Sequence, residues 1–347
     1  MENARLNVTP RRVVFLGAGA IGCFLGAHWA AAVQAAGGRI GLIGRAATWA
    51  QIGAGPLRLT GGTAADTDLS LLDLHDSPEA LSEADLIVLT LKSIGLERAI
   101  EEIRAYATEG TPILCLLNGV SAVEQLRAAL PAHPVIAGMV PFNVVWASGN
   151  HLHRSSAGQL KLERTPVSAA LAEIIAATGA PAELQDALKP IQYGKLLLNL
   201  INPINALSGL PLHAMLCQSG YRRIYAATLR EALRVYDEAG VTWQTVGPLS
   251  PRLVQWLLRL PDALFNRTLL RLQKLDPASM TSMAVDLAAG RPTEIDAITG
   301  EILRLAAAAD CPAPINTALF NLIKAQEAAP TPKQSHSAAA LAQLLRL

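Results

Sequence analysis

Five groups of residues in this chain have types and spacings that chemistry could use. The first is Gly17-Ala18-Gly19-Ala20-Ile21-Gly22, between an apolar run and an alanine-rich stretch. As a strand-turn-helix unit it would hold a dinucleotide pyrophosphate. Gly17 permits the tight turn, Gly19 lets phosphate approach the backbone, and Gly22 lets helix pack on strand. The helix N-terminus adds N–H groups and a positive dipole end. The alternative is an Ala/Gly-rich helix packed closely on a sheet.

The next two groups lie where later strands end. Gly44-Arg45 closes the second apolar run, where an NAD site carries an acid for the ribose hydroxyls; here the residue is Arg45, with no acid near. A guanidinium suits a 2′-phosphate, and Lys92, after LIVLTL, adds a second cation. Both point to NADPH, against the alternative of solvated surface cations. Asn118-Gly119 follows another apolar run. An Asn at that sheet edge can bond a carboxamide or a substrate carbonyl, or simply make a turn.

The last two groups fall in the second half. In Gly194-Lys195-Leu196-Leu197-Leu198-Asn199-Leu200-Ile201-Asn202, one continuous helix would put Lys195, Asn199 and Asn202 on one face. That polar stripe either faces water or lines a cleft. In a partly dry cleft the ammonium can give up its proton and the asparagines can orient a substrate. From Ser282 to Asp296, Gly290 is placed to end one helix, and Thr293 to cap the next with Asp296 three residues on. Ile295, Ile298, Ile302 and Leu305 form the buried stripe of that helix and leave Glu294 off it.

The elements that must position these residues change character along the chain. Strands expected at 12–16, 39–43, 86–91, 112–117 and 135–140 alternate with helices, which implies a parallel sheet covered on both faces. Residues 57–60 and 69–74 read as a hairpin pair. Beyond about residue 184 the periodicity is helical, near 186–202, 219–240, 251–274, 278–289, 294–309 and 313–328. The expected architecture is α/β: an N-terminal Rossmann-type doubly wound parallel sheet plus a C-terminal all-α domain. The expected domains are residues 1–184, residues 185–329, and a linker and tail over 330–347.

Composition sets the outer bounds. The 347 residues are 51% hydrophobic and 16% charged, which excludes a disordered chain and allows a large core. A net charge of +1 gives no electrostatic reason for a nucleic-acid or anionic-membrane partner. Cys23, Cys115, Cys217 and Cys311 show no ligand-type spacing, so neither a disulfide scaffold nor a metal site is expected, and a reducing cytoplasm fits. Residues 13–38 carry no charge, but Gly17, Gly19, Gly22 and Gly26, with His28 and Gln34, interrupt them, so they read as buried strand and helix rather than a membrane span. The seven histidines share no motif. The apolar segment from Leu253 to Leu272 suggests a homodimer face.

Taken in order, GAGAIG, the TLK ending at Lys92, the LNGV around Asn118, the KLLLN from Lys195 and the SMxxDxxxGRPTEID from Ser282 resemble the 2-dehydropantoate 2-reductase (ketopantoate reductase) family. The resemblance covers nearly the whole chain and implies an active site in a cleft between two domains. It implies NADPH-dependent reduction of a 2-keto acid, ketopantoate first. Lys195 would match the proton donor, Asn199 and Ser282 substrate contacts, and Asn118 a residue near both nicotinamide and substrate. Glu294 would match an acid that contacts cofactor, with Arg45 and Lys92 in the cofactor-phosphate region. Leu117 stands where many members carry Gln or His. The spacing after Asn199 is one residue short, which leaves Asn202 and Asn205 both open as the second substrate asparagine. The competing readings are a 3-hydroxyacid or opine-type dehydrogenase, and a non-catalytic NADPH-binding sensor.

Overall fold

The computed structural model describes residues 9–62, 64–268 and 277–347. The chain divides between Leu188 and Lys189 into two compact units.

The first unit is built on an eight-stranded sheet. Its strands are β1 (Arg12–Leu16), β2 (Arg39–Ile43), β5 (Leu72–His75), β6 (Leu86–Leu89), β7 (Ile113–Cys115), β8 (Val135–Met139), β11 (Lys161–Glu163) and β12 (Glu183–Gln185). The order across it is β12-β11-β8-β7-β6-β1-β2-β5. The pairings from β5 to β8 are parallel, and β11 joins β8 antiparallel. β1, β6 and β8 are apolar runs buried on both faces, as a sheet covered by helices on each side requires. From β1 the chain moves outward through β2 to β5, then returns beside β1 as β6 and moves the other way. β1 and β6 therefore flank the topological switch point, whose carboxyl edge is where α/β sheets bind ligands.

The expected hairpin of 57–60 with 69–74 does not form. β3 (Leu57–Thr60) pairs instead with β4 (Ala65–Thr67), in a second sheet of order β4-β3-β10-β9. The other two strands of that sheet are β9 (Val144–Ser148) and β10 (His151–Arg154). Asp68 starts a tight turn over Leu69–Leu71 by accepting the Ser70 N–H at 2.8 Å, and β5 then joins the main sheet beside β2. Charge helps fix β5 there: Asp73 pairs with Arg12 at 2.6 Å and with Arg39.

The second unit contains only helices among its described residues: Lys189–Asn199, Asn202–Ser208, Leu212–Leu216, Ser219–Glu238, Pro251–Leu257, Asp262–Arg267, Ser282–Ala288, Ile295–Ala308, Pro314–Ala328 and Ala338–Leu344. The long helix Ser219–Glu238 is its centre. It buries Arg222 completely, and that guanidinium donates to the Leu216, Leu258 and Leu260 carbonyls and pairs with Asp262 at 2.8 Å. Glu231 on the same helix accepts the N–H groups of Ile315 and Asn316, two orphan donors at the start of Pro314–Ala328.

The tail packs on this unit. His336 donates its N–H to Leu207, Tyr221 donates to the His336 carbonyl, and Leu341 is fully buried. Part of the expected helix over 251–274, and of the apolar face from Leu253 to Leu272, lies outside the described residues. Among the described residues no helix is long and apolar enough to cross a membrane.

Candidate active site

In the first unit, the glycine turn stands at the carboxyl end of β1. The Gly17 and Ala18 N–H groups donate to the Ile43 carbonyl at 3.2 and 3.0 Å, tying the turn to β2. Thr90, just past β6, donates its hydroxyl to the Gly17 carbonyl at 2.8 Å. Gly17 has φ +117°, and a Cβ there would stand 2.6 Å from the Leu91 nitrogen. A Cβ on Gly22 would overlap the Gly17 carbonyl oxygen. Gly19 is different: nothing lies within 4 Å of where its Cβ would be. That open side is at the start of the 16-residue helix Ala20–Ala35, whose first turn carries no acid. Ala18 is buried, and Ala20 and Ile21 pack against the core. Such a cradle fits a pyrophosphate. Sequence reasoning quoted the TLK motif but missed the Thr90 hydroxyl that holds the cradle.

Three expected residues follow neighbouring strand ends of the same sheet. Arg45 is exposed past β2; its guanidinium makes no ion pair among the described residues, and no acid occurs between it and Asp66. Lys92 is exposed and precedes the turn Ser93–Gly95. Asn118 is half-buried after β7, before Gly119 at φ +93°. The strands are parallel, so these residues and the glycine turn share the carboxyl edge of the sheet.

In the second unit, Lys195 is half-buried on Lys189–Asn199. Burial pushes its ammonium down to about 8, and the Glu294 carboxylate pulls in the opposite direction. Glu294 is half-buried at the start of Ile295–Ala308. Tyrosines from Ser219–Glu238 hold the lysine's helix. Tyr236 donates to the Tyr193 carbonyl at 3.2 Å, and Tyr225 to the Leu198 carbonyl at 3.3 Å. The Tyr193 hydroxyl donates in turn to buried Glu301 at 3.3 Å, beside Arg304. The lack of a side chain at Gly194 lets the Gln244 carbonyl approach. Apart from Gly194, which the Lys195 motif includes, none of these supports was named from sequence.

The continuous helix expected to carry Lys195, Asn199 and Asn202 is not observed. The helix ends at Asn199, and a new one runs Asn202–Ser208. Pro203 is the reason: it has no N–H to give the Asn199 carbonyl. Asn199 is half-buried one turn beyond Lys195, and Asn202 is buried on the next helix. Asn205 is fully enclosed and committed at both ends. Its amide donates to Leu210 at 2.8 Å, and its oxygen accepts the Thr281 N–H at 3.0 Å. It therefore joins Asn202–Ser208 to the cap of Ser282–Ala288. Ser282 is exposed as the first residue of that helix.

Gly290 ends the helix at φ +65°, as expected. The expected capping pair Thr293 and Asp296 does not form. Glu294 occupies the cap position, the Thr293 hydroxyl accepts from Ile295, and exposed Asp296 pairs with Lys324 at 3.0 Å.

Comparison with known proteins decides what the two units have in common. The ketopantoate reductase PanE/ApbA family matches residues 13–166, and its C-terminal part matches residues 187–327. The chain belongs to the ketopantoate reductase family. It is thereby an oxidoreductase of a nicotinamide-dependent family. It is 24% identical over 320 residues to a 2-dehydropantoate 2-reductase of Vibrio cholerae, covering 91% of this chain and 97% of that one. A PanE/ApbA family ketopantoate reductase from Ralstonia eutropha is 29% identical with a TM-score of 0.77, over 91% of this chain and 98% of that one. A D-mandelate dehydrogenase with NADH and anilino(oxo)acetate shares the fold at TM-score 0.73 and 21% identity, over 91% of this chain and 98% of that one.

Proposed function

We propose that this ketopantoate reductase family member reduces a small 2-keto acid to the 2-hydroxy acid with NADPH, with 2-dehydropantoate as its first substrate. The observation that carries the reading is Lys195, whose ammonium burial lowers to about 8 beside the Glu294 carboxylate. Carbonyl reduction adds a hydride at carbon and a proton at oxygen. The proton is best given by a group whose pKa lies near the working pH.

The nicotinamide supplies the hydride when bound. The chain's own residues do the rest. Lys195 gives its Nζ proton to the developing alkoxide, and its positive charge stabilises that oxygen while the bond changes. Asn118, Asn199, Asn202 and Ser282 hold the keto acid. Gly17, Gly19 and Gly22 receive the pyrophosphate, with Ala18, Ala20 and Ile21 completing the turn. Arg45 and Lys92 receive the 2′-phosphate. Glu294 contacts cofactor and keeps Lys195 protonated at neutral pH. In the second unit Leu253, Trp256 and Leu264 stay 46%, 65% and 49% exposed, which supports a homodimer built on that face.

A panel of 2-keto acids, including ketopantoate and phenylglyoxylate, read by NADPH absorbance tests the reading. Turnover with ketopantoate at the highest kcat/KM is expected. Bound NADPH that no keto acid consumes would make the chain a sensor instead.

A further inference from the structure

The first unit holds a cavity of about 430 Å³ that the keto-acid reading leaves unused. Neither the glycine turn, Lys92 nor Asn118 lines it. Its size lies within the range of small-molecule sites, roughly 300–1,000 Å³. Phe24, Trp29 and Phe142 are among its lining residues, with Phe24 and Phe142 edge-to-face at 6.1 Å. Two basic side chains face the same space. His28 stacks on Phe24 at 5.9 Å, and the Arg154 guanidinium lies 4.0 Å over the Phe142 ring.

Among the described residues no acidic side chain lines the cavity. Arg154 donates to the Ser156 carbonyl at 3.1 Å and to the Gly158 carbonyl, and makes no ion pair among the described residues. Part of its fork is thus used by neutral carbonyls, and no carboxylate among the described residues pairs with its charge. Burial lowers the pKa of Arg154, and burial with Arg154 nearby lowers that of His28, so the positive charge is held at a cost. An anion entering the cavity would offset that cost, and the apolar lining, which includes Leu25, Leu160, Ala180 and Pro181, would contact an apolar body. One partly committed guanidinium matches a single negative charge better than a phosphate-rich ligand.

We infer that this cavity is a second binding site, which takes a small monocarboxylate with an aromatic or branched apolar body held by Arg154. The site stands on the first unit alone and does not rest on the keto-acid reading. The probe is 3-phenylpropionate, which has no carbonyl for the enzyme to reduce. Calorimetric titration should show saturable binding below about 10 mM, weakened at least about tenfold in Arg154→Met and for the neutral 3-phenyl-1-propanol. Ala180→Phe adds a ring to a lining residue whose hydrogen bond is made by its backbone N–H, and should weaken binding similarly; it decides the matter if Arg154→Met does not fold. Lys195→Ala should leave this binding unchanged. No saturable binding, binding kept in Ala180→Phe, or binding lost in Lys195→Ala would each overturn the site.

Discussion

Tyr236 donates its phenolic hydrogen to the main-chain carbonyl of Tyr193 at 3.2 Å, two residues before Lys195. The two rings meet edge-to-face at 5.3 Å, and the Tyr193 hydroxyl reaches Glu301. The lysine's helix is thus held from behind by buried phenols. Tyr236→Phe keeps the ring contact and deletes the bond. It should cost about 1 kcal/mol in urea unfolding and lower kcat only a few-fold. A loss as large as that of removing Lys195 itself would show that Tyr236 does more than position the helix.

The two asparagines left open by the sequence separate by their partners. Asn205→Ala orphans the Thr281 N–H and the Leu210 carbonyl in a fully enclosed place. It should cost about 1–3 kcal/mol of stability while sparing turnover per folded molecule. Asn202 makes no side-chain hydrogen bond among the described residues. Asn202→Ala should cost less stability and raise KM for the keto acid about tenfold. Unfolding curves and steady-state kinetics on both variants check this; a KM effect in Asn205→Ala alone would reverse the assignment.

Arg45 follows β2 with no acid before Asp66, so NADPH should exceed NADH in kcat/KM at least about tenfold, or 1.4 kcal/mol. Arg45→Glu should erase that ratio chiefly by weakening NADPH. Equal use of both cofactors by the wild type would contradict this role of Arg45.

The lysine also sets two pH effects. If Lys195 gives the proton, activity should fall as pH rises through about 8, rather than near its ordinary 10.5. Stability should move oppositely. Between about 8 and 10.5 the unfolded chain binds the proton more tightly, so this group favours folding increasingly as pH rises. Measured against Lys195→Met, the wild type should therefore gain relative stability across that window. A gap independent of pH would deny the shift.

Much of this was legible where the chain reports on itself locally. VVFL followed by GAGAIG gives strand, turn and helix because each cue lies within a few residues of the next. The small sheet was not legible, because β10 finds β3 through His151 opposite Arg58, far apart in sequence, and neither strand is a long apolar run. The role of Asn205 was hidden for the same reason: one partner, the Thr281 N–H, is 76 residues away and belongs to the backbone. The helix of Lys195 stops short of Asn202 for a local reason that is present in the sequence. Pro203 breaks the ladder, so helical spacing does not extend across it.

Lys195→Ala is the most direct test of the account, with NADPH binding followed by fluorescence and turnover measured on the best keto acid. Cofactor affinity should change little, because its anchors are Gly17, Gly19, Gly22 and Arg45, while kcat should fall roughly 10²–10⁴-fold. Unchanged NADPH binding with turnover within about threefold of wild type would contradict the role of Lys195 as proton donor.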